Sequence, residues 1–175
     1  MTTNVIGLDL SLTSTGVASS LGWTDRIRPK HLRGLDRLRY ILDHLRTYTH
    51  DCPLAVVEGP SYNHKGLRQH EELVALRWMV YDLLDRHDVP VAIAPPASVK
   101  LWATGKGNAD KTAVMAAMRN RYPDTGIASS DEADALALAE MGAAWTQGTE
   151  ATDHQRRALN GVNWPALLST EEAAA

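Results

Sequence analysis

A single cysteine, Cys52, stands in 175 residues, so no disulfide can form within the chain. That absence agrees with a reducing cytoplasm, the localisation expected here. No apolar run approaches the roughly 20 residues that span a bilayer, so no membrane partner is expected. The segment Met1–Gly7 carries no basic residues ahead of its apolar ones and does not read as a secretory signal. The seven histidines show no zinc-ligand spacing. Excess positive charge is also missing. The net charge is −3, which taken as a whole argues against a nucleic-acid binder.

What is present is enough apolar residue, 44%, for a real core, in a length that favours one domain. The charge is also uneven. Between Arg26 and Arg46 stand Arg26, Arg28, Lys30, Arg33, Arg37, Arg39 and Arg46 against only Asp36 and Asp43, a local charge of +5. Such a stretch is either a solvated helix face or a phosphate-binding surface.

Periodicity gives the elements. Val5–Leu10 is a short apolar run ending in an acid, followed by a turn of small hydroxyl residues, Ser11–Gly16. Val17–Trp23 and Asp25–Arg28 read as two further strands. Leu32, Leu35, Leu38, Ile41, Leu42 and Leu45 recur at helical spacing. Leu54–Glu58 is a second buried strand ending in an acid. Leu73, Leu76, Val80, Leu83 and Leu84 mark another helix, and Val89–Ala94 another strand. Asn108 is placed to cap a helix over Ala109–Arg121. Ser129-Ser-Asp-Glu132 is a capping box that opens an alanine-rich helix to about Trp145. The order β-β-β-α-β-α-β-α-α is an α/β domain over residues 1–147. Residues 148–175 read as a partly disordered tail. The five tryptophans, Trp23, Trp78, Trp102, Trp145 and Trp164, read as core or interface residues.

Four acids stand where chemistry is done. Asp9 and Glu58 end strands, where open α/β sheets place ligand sites. Asp131 and Asp134 share one face of the last helix. Converged, they would repel, at about 4 kcal/mol for two bare charges 4 Å apart at an effective dielectric of about 20. A cation relieves that. An all-oxygen donor set selects Mg²⁺ or Mn²⁺ over zinc. Two such ions stabilise both the attacking and the leaving oxygen in phosphodiester cleavage. Taken singly, each acid is equally an ordinary turn or helix-start residue; their joint order carries the reading.

The segments Gly7-Leu-Asp9-Leu-Ser-Leu-Thr-Ser-Thr-Gly16, Val56-Val-Glu58, Pro96–Lys100 through Gly105–Lys111, and Asp131-Glu-Ala-Asp-Ala-Leu-Ala137 resemble those of the RuvC Holliday-junction resolvases. The resemblance runs from about residue 5 to 145. It implies an RNase H-like mixed sheet flanked by helices. It also implies a homodimeric endonuclease that cuts four-way junctions and other branched DNA, with two Mg²⁺ or Mn²⁺ ions per site. The metal ligands it implies are Asp9, Glu58, Asp131 and Asp134, with Lys100 and Lys111 as active-site cations.

A lysine beside such a site steadies charge on the scissile phosphate. Lys111 in a first helical turn opposes the helix dipole, which favours a functional reason for it. Lys106, between two glycines, reads as a backbone-phosphate contact. Arg33, Arg37 and Arg39 read as phosphate contacts too, and Lys65 and Arg68 as residues of a DNA-contacting loop. Tyr62 is the nearest match to the aromatic that opens the junction centre in the family, one residue late. The first Asp is followed by Leu10-Ser11 where the family commonly has Pro-Gly. A sugar-kinase or actin-like ATPase, which needs two domains, a non-catalytic branched-DNA binder, and a flap, fork or RNA–DNA hybrid nuclease are the alternatives.

Overall fold

The computed structural model describes residues 3–60, 67–149 and 151–166, with the side chains of 67 and 68 left aside. Five strands form one mixed sheet: β1 Val5–Asp9, β2 Thr15–Ser19, β3 Trp23–Ile27, β4 Leu54–Glu58 and β5 Val91–Ala94, in the order β3-β2-β1-β4-β5. β1, β2 and β3 form an antiparallel meander, whereas β4 and β5 run parallel to β1. The carboxyl ends of β1, β4 and β5 therefore lie along one rim, and Asp9 and Glu58 sit on it.

The helices are α1 Gly34–Thr49, α2 Leu67–Asp85, α3 Pro96–Thr104, α4 Lys111–Arg121, α5 Ser130–Gln147 and α6 Asp153–Asn160. Packing on each face of the sheet follows the alternation of its strands. Ile6, Leu8, Ala55 and Val57 point to α1 and α2, meeting Leu38, Ile41, Leu45, Leu76, Val80 and Leu84. Val5, Leu54 and Val56 point the other way, to Leu136, Leu138 and Met141, with α3, α4 and α6 outside α5.

α5 lies unusually close to the sheet. A Cβ on Gly7 would stand 2.0 Å from the Ala135 carbonyl oxygen, and one on Gly16 2.0 Å from that of Asp131. Only glycine at both positions lets the helix backbone rest on β1 and β2. The small side chains of Ala135 and Ala139, which face the strands, complete the approach.

The structure revises several sequence boundaries. β2 spans Thr15–Ser19 and not Val17–Trp23, because the chain turns at Ser20–Gly22, where Gly22 has φ 94°. α2 starts at Leu67, well before Leu73. The cap of α4 is Asp110, whose carboxylate accepts from the Ala113 N–H at 2.8 Å; Asn108 lies outside the helix. α3 is an additional helix, started by Pro96 at a position that needs no N–H and ended by Gly105 at φ 77°.

The packed structure also continues past Gln147, where the sequence pattern stops. α6 opens on a Thr152/Gln155 capping box and packs on α3. Asn163 exchanges two backbone hydrogen bonds with Ile93, at 2.9 and 3.0 Å, and Trp164 stacks on Trp145 with centroids 4.5 Å apart. So 151–166 are part of the fold and not a tail. α6 is short and polar outside, with Ala158 its one buried residue, which leaves little periodicity to read.

Candidate metal centre and nucleic-acid interface

Asp9, Glu58, Asp131 and Asp134 line one cavity of about 290 Å³, together with Arg77, Lys100, Lys111, Leu10, Ser11 and Leu73. The topology explains the convergence. β1 and β4 are neighbours, so their terminal acids stand side by side. α5 begins over Gly16, which pairs with Asp9 across the β1–β2 ladder, so its first two turns deliver Asp131 and Asp134 to the same rim.

The acids feel one another. Asp9, only 8% exposed, is held well above the ordinary carboxylate range, first by burial and then by the charges of Glu58, Asp134 and Asp131, with Lys111 opposing. Burial also raises Glu58, against the opposing Lys111 charge, a hydrogen bond from Asp9, and the Arg77 and Lys100 charges. Asp134 is pushed up to about 7 by burial and then by Glu58, with Lys111 again opposing, Asp131 adding and Lys100 opposing.

Among the described residues, no three His, Cys, Asp or Glu side chains stand as a finished cage for an ion. The donor chemistry nevertheless fits a hard divalent cation: four carboxylates, no thiolate and no imidazole line the cavity. A cation held among them would offset the mutual repulsion that raises Asp9 and Asp134.

The first turn of α5 is fixed from three sides. The Ser129 hydroxyl accepts from the Glu132 N–H at 3.3 Å, and the Glu132 carboxylate accepts from the N–H groups of Ala128 and Ser129. The other Glu132 oxygen takes Arg26 Nε at 2.7 Å. Arg26 pairs with Gly16 in the sheet, as Asp9 does from the other side, so this ion pair ties the acid-bearing turn to β3 at the level of Asp9.

Lys100 and Lys111 both reach the cavity, Lys100 from α3 and Lys111 from the first turn of α4. Arg77 is a lining residue that the sequence reading missed. It donates to the Glu58 backbone carbonyl from α2. A cation beside an apolar stripe reads as solvated, yet its four-residue spacing from Leu73, which lines the same cavity, was a usable signal.

The other expected DNA contacts separate. Lys106 is exposed in the turn after α3. Arg33 is exposed at the start of α1, and Arg39 is exposed and 3.7 Å from Asp36. Arg37 differs from the expectation: it turns inward, 8% exposed, donating to the Leu32 carbonyl at 3.0 Å and lying 3.5 Å from Glu72. Its position on the stripe of Leu38, Ile41 and Leu45 draws it under the helix. Tyr62 and Lys65 lie outside the described residues, as does the side chain of Arg68.

No protein-family model matches the chain. Over 76 residues, 43% of the chain, it is 40% identical to the crossover junction endodeoxyribonuclease RuvC of Synechococcus sp. strain WH7803, covering 48% of that protein. The identity and length are the same for the enzyme of that name from strain CC9311, of which 46% is covered. The match spans about half the length of these relatives. In three dimensions the chain is similar to Thermus thermophilus RuvC, with a TM-score of 0.66 at 20% identity over 83% of this chain and 97% of that one. It is similar also to T. thermophilus RuvC in complex with a Holliday junction substrate, with a TM-score of 0.68 at 19% identity over 84% and 97%. The likeness shows the fold, an RNase H-like mixed sheet flanked by helices. No described helix is long and apolar enough to cross a membrane.

Proposed function

We propose that this chain is a metal-dependent endonuclease that cleaves four-way (Holliday) junctions, and other branched DNA, by phosphodiester hydrolysis. The observation that carries the reading is the meeting of Asp9, Glu58, Asp131 and Asp134 in one cavity with Lys100, Lys111 and Arg77. Such a substrate places the work with the cell's DNA in the cytoplasm.

The four carboxylates would hold Mg²⁺ or Mn²⁺, two ions per site. Bound there, the metal supplies Lewis-acid stabilisation of the attacking and leaving oxygens. Lys111 and Lys100 bind the non-bridging oxygens of the scissile phosphate and offset charge that grows on it. Arg77 steadies Glu58 through the carbonyl bond and adds a third positive charge to the wall. The Arg26–Glu132 pair keeps Asp131 and Asp134 at the rim while substrate enters.

A four-way junction has two-fold symmetry and needs two cuts, so a homodimer with isologous contacts suits it. The free side of α2 is the surface proposed for that contact. Trp78 and Val74 stand out there, 67% and 40% exposed, and Tyr81 meets Trp78 edge-on.

The test is cleavage of an end-labelled synthetic four-way junction in Mg²⁺ and in Mn²⁺, beside linear duplex, flap and RNA–DNA hybrid. Paired symmetric nicks that vanish in EDTA are expected. Asp9→Asn should cut about 10²–10³-fold more slowly, the scale of losing a principal electrostatic group. Preference for flaps or hybrids would keep the metal centre and overturn the junction assignment. Binding without cutting under either metal would overturn the enzyme.

A further inference from the structure

The seven basic residues between Arg26 and Arg46 do not act as one patch. Arg26 is spent on Glu132, Arg37 on Leu32 and Glu72, and Arg39 stands against Asp36. Arg46 sits in the last turn of α1, at the far end of the helix. Arg28, Lys30 and Arg33 remain. All three are exposed, and among the described residues none makes an ion pair. The acids nearest in sequence are engaged elsewhere, Asp25 by the Tyr48 hydroxyl and Asp36 by Arg39.

These three lie on one turn between β3 and α1. The Leu32 N–H donates to the Pro29 carbonyl at 3.0 Å, which closes the turn and puts Lys30 and His31 at its tip. Lys30 has φ 48°, a left-handed backbone that disfavours any residue with a Cβ. Glycine or asparagine would sit there with less strain, so a lysine at that tip points to a use for the charge.

The register shows where the turn is. β3 runs toward the same rim as β1, and Arg26 pairs with Gly16, which pairs with Asp9. Two strand spacings sideways and two residues further along put Arg28 roughly 10–15 Å from Asp9. Lys100 and Lys106 follow β5, at the opposite edge of the sheet. Along the rim the charges therefore run positive, negative, positive, with the carboxylates in the middle.

We infer that the Arg28–Arg33 turn is a phosphate-contact surface for the duplex arm of a DNA substrate whose scissile strand lies over the carboxylates. The inference rests on the nuclease reading above and adds to it the direction in which the DNA leaves the site. Contacts of this kind neutralise phosphates without reading bases, so they act on junction and linear duplex alike.

The experiment is binding of a labelled four-way junction and a linear duplex at several salt concentrations, in EDTA so that nothing is cut. It compares the full-length chain with Arg28→Gln/Lys30→Gln/Arg33→Gln, with Lys30→Gly alone, and with Arg46→Gln. Loss of three phosphate contacts should reduce the slope of log K against log salt by about 2–3, and loss of one by about 0.9. Lys30→Gly also relieves the left-handed backbone, so its loss of binding would come without loss of fold. Arg46→Gln should leave the slope unchanged.

An unchanged slope in the triple variant, with the wild-type chain binding and cutting, would overturn the surface and leave the nuclease reading standing. An equal loss in Arg46→Gln would overturn it too, because net charge and not place would then govern binding. A wild-type chain that binds no DNA would overturn both.

Discussion

The two faces of the sheet are packed by different means. On one, α5 lies with its backbone against β1 and β2, through Gly7, Gly16 and the small residues Ala135 and Ala139, and is covered in turn by α3 and α4. On the other, α1 and α2 stand off on large side chains such as Ile41, Leu45, Leu76 and Leu84. α5 carries two of the four acids, so the face with the closer packing is the one that must hold charges against their repulsion. The α2 face, by contrast, keeps Trp78 and Val74 uncovered. Backbone-close packing leaves no room for adjustment, whereas side-chain packing leaves surface for a partner.

Substitutions can break that contrast. The largest effect is expected on the α5 side. A Cβ at Gly142 already lies 2.5 Å from Val5 Cγ1 and 2.7 Å from Val56 Cγ2. Gly142→Val should cost at least about 3 kcal/mol or prevent folding, as overpacking of a rigid core does. Leu76→Ala on α2 should cost about 2–5 kcal/mol, the cavity effect for a fully buried leucine, and be softened by relaxation of its side-chain neighbours. Chemical denaturation of both variants orders the two faces. A milder loss in Gly142→Val than in Leu76→Ala would reverse the comparison.

Next in size is a pH effect confined to the α5 side. Asp134 titrates near 7 when folded, and Asp9 well above its ordinary range, whereas both fall near 4 in the unfolded chain. Between those values the folded, metal-free protein holds protons that the unfolded chain releases. Its stability is therefore highest at low pH in this window and declines as pH rises toward 7. Melting in EDTA should occur at higher temperature at pH 5.5 than at pH 7.5, and Asp134→Asn should flatten the difference. Mg²⁺ should raise the melting temperature more at pH 7.5, where the ligands ionise more readily. Melting in EDTA that rose with pH, unaltered by Asp134→Asn, would mean that the acids do not share a site.

The smallest effect on the folded monomer belongs to Trp78→Ser, within about 0.5 kcal/mol, as for most exposed positions. Its consequence should appear in light scattering, as a shift from dimer to monomer. A dimer that survives the change would move the proposed contact away from α2.

How far the sequence could be read follows the same division. Strands β1, β4 and β5 and helices α1, α2 and α5 announce themselves by apolar runs, helical spacing or a capping box. The positions of Asp9, Glu58, Asp131 and Asp134 were legible because each sits at the end or start of such an element. α3 and α6 were not read, since nine and eight residues are too few to establish a period. Their ends did carry signals, Pro96 and Gly105 for one and Thr152 with Gln155 for the other. The fates of Arg26, Arg37 and Arg77 were hidden for a different reason. A cation looks the same in sequence whether it pairs with Glu132, lies beneath its helix, or faces the acids. Only tertiary placement separates the three.

The two backbone hydrogen bonds between Asn163 and Ile93 bear on how the protein behaves in a crowded cell. A parallel sheet ending in a bare apolar strand invites another molecule to add a strand of its own, the route to aggregates. Here the segment around Asn163 occupies that place at Ile93, and at the opposite end of the sheet β3 presents the exposed Asp25, a charge that discourages a newcomer. The clasp at Ile93 thus guards the solubility of a protein whose parallel strands would otherwise end in open valences.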